Sequence, residues 1–284
     1  HYSIRPHLKA ISIFFAMACA TTIYTHLDTV MLGFMTTDTD VGYYNAAVKI
    51  KSILVSIVTS LGVVLLPRAS YYVEHGQMDE FYRITKKAID FVFVIATPMM
   101  LYFTLFAKEG VYFLSGSAYA GAIIPMQIIM PTLLFIGLTN IMGIQMLVPL
   151  GREKIVLYSE IAGVIVDVVL NALLIPRMAS AGAAIGTLAA EATVWMVQFI
   201  ALKNNVFESY KKIRYFSIII ALLVATAVSH FAEFLSLGSF LTLCVSAILF
   251  FGTYGGVLTI AREPLVIEIE QQIFKKLKGR HHIR

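Results

Sequence analysis

The sequence predicts an all-α, polytopic membrane protein with about eight transmembrane helices. Three observations carry that reading. Hydrophobic residues make up 58% of the 284 and charged residues 14%, against roughly 45–50% and about 25% in a typical soluble domain. Mean hydropathy is +0.80. The apolar residues gather into eight runs of about twenty residues, the length that crosses a bilayer as a helix. Runs that long exclude a membrane barrel, whose strands take about ten residues of alternating polarity. The composition also excludes a soluble enzyme, a disordered tail and a disulfide scaffold. Cys19 and Cys244 lie inside apolar runs and read as small core hydrophobes.

The runs cover approximately residues 11–34, 43–66, 88–106, 122–150, 155–175, 183–202, 215–234 and 239–260. No short apolar segment with a small-residue cleavage site precedes the first, so no leader peptide is expected. Between the second and third runs, Ser70 to Lys87 mixes Tyr71, Tyr72, Phe81 and Tyr82 with charges. That mixture predicts a cytoplasmic interfacial helix. Pro98, Pro125, Pro131 and Pro149 interrupt the third and fourth runs and predict kinks. Trp195, Tyr43 and Tyr44 read as belt or packing residues. Gly182 with Gly186, and Gly252 with Gly256, have helix-packing spacing. After Pro264 the chain is basic and reads either as a surface amphipathic helix or as a solvated tail.

Orientation follows from lysine and arginine placement. With the N-terminal flank cytoplasmic, eighteen of the 22 basic residues fall on that side. Lys108 and Arg177 fall outside, and Lys49 and Lys51 lie within the second run. Both termini of this chain are therefore expected in the cytoplasm. The same distribution accounts for the net charge of +5 through loops beside anionic lipid, so no nucleic-acid partner is expected. The loops are short, and no phosphate-binding loop, zinc-protease or nucleophile-elbow motif occurs. No catalytic residue, metal or cofactor is expected, and ATP-driven transport by this chain alone is disfavoured.

Polar groups inside the runs are costly, at about 2.5–3.5 kcal/mol for each charge at a helix centre. In the second run Asn45, Lys49, Ser52, Ser56 and Ser60 recur every three or four residues on one face. Lys51 points off that stripe, which makes Lys49 the better lumen-facing cation. The first run carries Thr21, Thr25 and Asp28 on a similar stripe, with His26 off it. Asp28 and Lys49 lie at matching depth, roughly 9 Å from the connecting hairpin. They are expected to pair, to present positive charge to an anionic substrate, or both. In the fifth and sixth runs Glu160, Asp167 and Asn171 share one face and Thr187, Glu191 and Gln198 another. Asp167 and Glu191 sit at similar depth, roughly 12 Å. They form a candidate proton or cation site if the helices are adjacent. The alternative is that each carboxylate is simply hydrogen-bonded to a neighbouring helix.

The stretch LDTVMLGFMTTDTDVGYYNAAVKI at 27–50, followed by VVLLPRAS at 63–70, resembles bacterial polysaccharide flippases. These are the O-antigen and capsule repeat-unit transporters of the multidrug/oligosaccharidyl-lipid/polysaccharide exporter superfamily. The resemblance implies a two-lobed architecture, of which this chain matches the later part. Residues 1–210 would be the second six-helix lobe, 211–262 an additional helix pair and 263–284 a basic cytoplasmic tail. A missing N-terminal lobe then becomes a partner. The implied activity is movement of undecaprenyl-diphosphate-linked oligosaccharide across the bacterial cytoplasmic membrane, with no covalent chemistry. By position in the motif, Lys49 would meet the diphosphate, with Asp28, Asn45 and Lys51 beside it. A polysaccharide polymerase and glycosyltransferases are the further partners implied.

Two alternatives within the superfamily are a cation-coupled multidrug exporter and a lipid II flippase. Asp167 and Glu191 suit the exporter, and the Lys49 face argues against it. A membrane glycosyltransferase or polymerase would need a large loop to carry its site, and none is present.

Overall fold

A computed structural model describes residues 5–234, 238–268 and 271. Every element within them is helical. In order these are α1 (Arg5–Met35), α2 (Asp38–Glu74), α3 (Met78–Leu105), α4 (Ala107–Ser115), a 3₁₀ segment (Ser117–Ala122), α5 (Ile123–Ile129) and α6 (Thr132–Thr139). A π-helical stretch (Asn140–Leu147) leads to α7 (Glu153–Lys211), α8 (Tyr215–Ser229), α9 (Phe231–Phe234) and α10 (Ser239–Ile260). By length and composition α2, α3, α7 and α10 can each cross a bilayer, and a fifth span results if the bent pair 117–129 and 132–147 counts as one. The protein is an all-helical, polytopic membrane protein.

The helix boundaries follow from local chemistry. The α1–α2 hairpin turns at Thr37, whose hydroxyl accepts from the Asp40 amide while the Asp40 carboxylate accepts from the Thr37 amide. This reciprocal cap satisfies two otherwise orphaned amides, and such a cap stabilises by about 0.5–2 kcal/mol. The interfacial helix expected over Ser70–Lys87 is not formed. Instead α2 continues to Glu74 and α3 begins at Met78, with Gly76 at φ +69° turning the chain between them. The tyrosines belong to the adjoining ends of two long helices, α2 and α3. The fourth run is interrupted as its prolines predict, with a 46° bend near Pro131. Gly137 lets α6 slot between its neighbours, since a Cβ there would meet Val58 at 2.6 Å and Val92 at 2.7 Å.

At about 1.5 Å per residue, the 59 residues of α7 would extend roughly 90 Å, three bilayer cores. The helix breaks at Ala179, at φ 47° and ψ −126°, and its two arms fold back antiparallel. Gly182 approaches Leu174 so closely that a Cβ would lie 2.6 Å from the Leu174 carbonyl carbon. Farther from the turn, a Cβ on Gly163 would meet Val194 at 2.7 Å. Gln198 donates to the Ser159 hydroxyl at 3.0 Å, and Arg152 donates to the Ala201 carbonyl at 3.2 Å. Partners recede from Ala179 at the same pace on both sides, which defines a hairpin. Trp195 serves as packing here, stacked on Phe199 and donating to the Tyr210 hydroxyl.

Contacts divide the chain into two compact units, residues 1–210 and 211–284. The second is built on α8 against α10. Arg214 closes it by donating to the carbonyls of Ala261 and Arg262, at 2.9 Å each, and lies 3.8 Å from the Glu263 carboxylate. Gly252 and Gly256 do not mediate a packed contact within the described residues, because a Cβ on either would meet nothing within 4 Å. Beyond Glu268 only Gln271 is described, so the amphipathic-tail expectation lies outside the described residues. The side chains of Thr21 and Thr25 also lie outside them.

Candidate functional site

Helix α2 presents two adjacent stripes that meet at Ser52, which also lines the cavity of the second. The first is the predicted one. Asn45, Lys49, Ser52, Ser56 and Ser60 are all exposed. The hydroxyls of Ser52 and Ser56 donate back to the carbonyls of Val48 and Ser52, at 2.9 and 3.0 Å. Their protons are thus occupied and their lone pairs remain. Thr29 of α1 donates to the carboxamide oxygen of Asn45 at 3.2 Å, which leaves the Asn45 amide donors uncommitted. Lys49 forms no ion pair among the described residues. The face therefore offers one cation and one NH₂ group amid hydroxyls.

The second stripe is Tyr44, Val48, Lys51 and Val55, spaced by four, three and four residues. It lines a cavity of about 420 Å³ together with Asp28, Glu160 and Glu191. Asp28 is not paired with Lys49. Its carboxylate accepts from the Tyr44 hydroxyl, from Thr187 at 2.8 Å and from the Asn171 amide at 2.5 Å. Tyr44 and Thr187 also lie 2.9 Å apart, and Thr187 reaches the Ala183 carbonyl at 3.0 Å. Thr187 has a single proton, so Asp28 and Ala183 compete for it. Burial explains the arrangement. Asp28 is only 2% exposed, and a buried carboxylate without donors is prohibitively costly.

Asp167 is different. It is fully buried at 0% exposure, lies against Asp28, and neither of its oxygens has a hydrogen-bond donor among the described residues. Glu191 and Lys51 are within electrostatic reach of it. Asp28 thus has its donors, whereas Asp167 beside it has none among the described residues. The hairpin that creates this setting depends on Gly186, where a Cβ would strike the Asn171 carboxamide oxygen and lie 3.1 Å from Asp167 Oδ1.

The structure therefore brings together Asp28, Asp167, Asn171, Thr187 and Glu191, with Glu160 and Lys51 on the cavity wall. It leaves Lys49 and Asn45 on the open face. Sequence reading missed the hydrogen-bonding role of Tyr44, which it took as belt or packing. The 44/48/51/55 spacing was the available signal, since it runs parallel to the stripe of 45/49/52/56. Asn140 and Gln198, which also line the cavity, and Gln145 have buried side-chain oxygens without a hydrogen-bond partner among the described residues.

Residues 6–73 match the sequence profile of a family described as polysaccharide biosynthesis protein. The chain is 28% identical over 191 residues to an Escherichia coli K12 protein named "Putative O-antigen transporter", an alignment covering 67% of this chain and 46% of that protein. It is 25% identical over 212 residues to an uncharacterized membrane protein of Methanocaldococcus jannaschii, covering 75% of this chain and 42% of that one. The chain thus spans less than half the length of these curated relatives. The similarities are thus to a polysaccharide-biosynthesis family and to proteins named as a transporter and as a membrane protein.

Proposed function

We propose that this chain forms part of a flippase that moves undecaprenyl-diphosphate-linked oligosaccharide repeat units outward across the bacterial cytoplasmic membrane. The carrying observation is the open stripe of α2. Lipid cannot solvate Asn45, Lys49 and three serines on one face of a spanning helix. That face belongs against a water-filled passage, in which Lys49 is a fixed counter-charge for a diphosphate and Asn45 a donor beside it. No covalent step is needed, so Lys49 acts by binding alone. Both termini of this chain lie on the cytoplasmic side, where the basic loops meet anionic lipid. Polysaccharide polymerase and glycosyltransferases act on the same substrate before and after it.

The energy for transport enters at the buried cluster. Asp167 and Glu191, with Asp28, hold a proton or monovalent cation between α1 and the α7 hairpin. Loading or emptying that site changes the charge that the hairpin buries, and so biases its packing against α1 and α2. The acidic cavity also suits a second reading, export of organic cations, because three of its wall residues are Asp28, Glu160 and Glu191.

The test is deletion of the whole gene, with quantification of lipid-linked oligosaccharide in the cytoplasmic leaflet and of polysaccharide at the surface. The flippase reading predicts accumulation inside and loss outside, both reversed by the full-length gene. Normal surface polysaccharide combined with new sensitivity to cationic drugs selects the exporter reading instead.

A further inference from the structure

We propose that Lys51 is a tethered counter-cation that competes with the coupling ion for the acidic cavity. The proposal rests on the coupling reading given above and adds a residue that sets its affinity. Lys51 is half-buried on α2, and its side chain helps line the same cavity as Asp28, Glu160 and Glu191. Asp167 lies behind Asp28, wholly buried, with neither oxygen receiving a donor among the described residues. The groups facing the cavity region from packed elements are thus Asp28 of α1, Tyr44 of α2, Asn140 of the π segment, and Glu160, Asp167 and Glu191 of α7. All the charged members of that set are acidic, and Lys51 is the one basic residue among the described residues that line the cavity.

Lys51 nevertheless forms no ion pair within 4.0 Å among the described residues. A lysine held in direct contact with one carboxylate would be a structural bridge. A lysine on a flexible four-carbon stem, near several carboxylates and fixed to none, is a mobile charge. It lowers the cost of burying the acidic cluster when no ion is present. When an ion enters, the same ammonium is repelled and must withdraw. Apparent ion affinity is then reduced by the factor to which Lys51 occupies the cluster, the ordinary consequence of a competing bound state. Fast release on the far side follows from the same competition, because Lys51 is always at hand to replace the departing ion. Lys51 thus sets affinity and release, while Asp167 provides the site.

The experiment uses the purified full-length protein and follows its Tm in two titrations. One raises sodium chloride against choline chloride at constant ionic strength, and the other lowers pH without sodium. The variants are Lys51→Met, which keeps the apolar stem, Lys51→Arg, which keeps the charge, and Asp167→Asn. The expected result is a stabilising response to one of the two ions in the wild type, abolished in Asp167→Asn. In Lys51→Met the midpoint moves to about tenfold lower sodium, or about one pH unit higher. Lys51→Arg stays within about threefold of the wild type. If Lys51→Met responds at the wild-type midpoint or needs more ion, while Asp167→Asn loses the response, the competition is overturned and the coupling site stands. If neither ion changes the Tm of the wild type, the coupling reading and the competition fall together.

Discussion

At the scale of single residues, the division of labour on α2 rests on a one-residue offset. Asn45 and Lys49 share the open face, whereas Tyr44 and Lys51 face the cavity. Tyr44 spends its hydroxyl on Asp28 and Thr187. Replacing it by Phe removes that donor without changing the packing volume, and leaves Asp28 one bond short in a buried site. The expected cost is about 1–3 kcal/mol, read as a lowered Tm of the purified protein. A Tyr44→Phe protein with unchanged Tm contradicts the hydrogen-bonded role. This residue was hidden in the sequence because a tyrosine near the end of an apolar run reads as an interfacial anchor. Only the partner across space, 143 residues away at Thr187, reveals what its hydroxyl does. Lys49 was legible for the opposite reason, since its four companions on the stripe are all local in sequence. The expected pairing of Asp28 with Lys49 illustrates the limit of depth arguments. Matching depth is necessary for contact, but the side of the helix decides it.

At the scale of elements, the α7 hairpin is the part whose geometry does most to make the buried cluster. Its turn residue Ala179 sits at φ 47°, ψ −126°, a region that glycine enters freely and alanine does not. Ala179→Gly should therefore stabilise the protein by about 1 kcal/mol or more, seen as a higher Tm. A lower Tm shows that the turn is unstrained. Within the arms, Gly182 has the Leu174 backbone against it, and backbone cannot yield as a flexible side chain does. Gly182→Leu is expected to force the arms apart, lowering Tm and abolishing transport. Gly252→Leu, by contrast, meets open space and should leave stability within about 0.5 kcal/mol of the wild type. Equal effects of the two substitutions contradict the packing assigned to the hairpin. Sequence spacing could not tell these glycine pairs apart, because small residues four apart mark a close approach only when another helix is present. The helical runs themselves were legible, since apolar length is dictated by bilayer thickness. The interfacial segment was misread because charge marks the exit from hydrocarbon, whereas a helix continues for as long as its backbone bonds are satisfied.

At the scale of the whole molecule, the proposed function separates a substrate face from an ion site and gives them opposite charge. The open face of α2 carries Lys49 and attracts an anion. The cavity carries carboxylates and attracts a cation. They share one helix, so under this proposal movement of α2 relative to α1 and α7 would change both and couple the two sites through that helix. In a wild-type background Asp167→Asn should remove the dependence of surface polysaccharide export on the coupling ion while leaving the protein inserted. The substrate role proposed for Lys49 is contact with the anionic headgroup. Its most direct test replaces the chromosomal gene by Lys49→Ala or Lys49→Arg alleles, then quantifies membrane protein, lipid-linked oligosaccharide and surface polysaccharide together. The account predicts normal protein level with export reduced at least about tenfold for Lys49→Ala, the loss expected for a charged contact worth about 1.4 kcal/mol or more. Lys49→Arg retains most export. Normal export from Lys49→Ala, at a normal protein level, contradicts it.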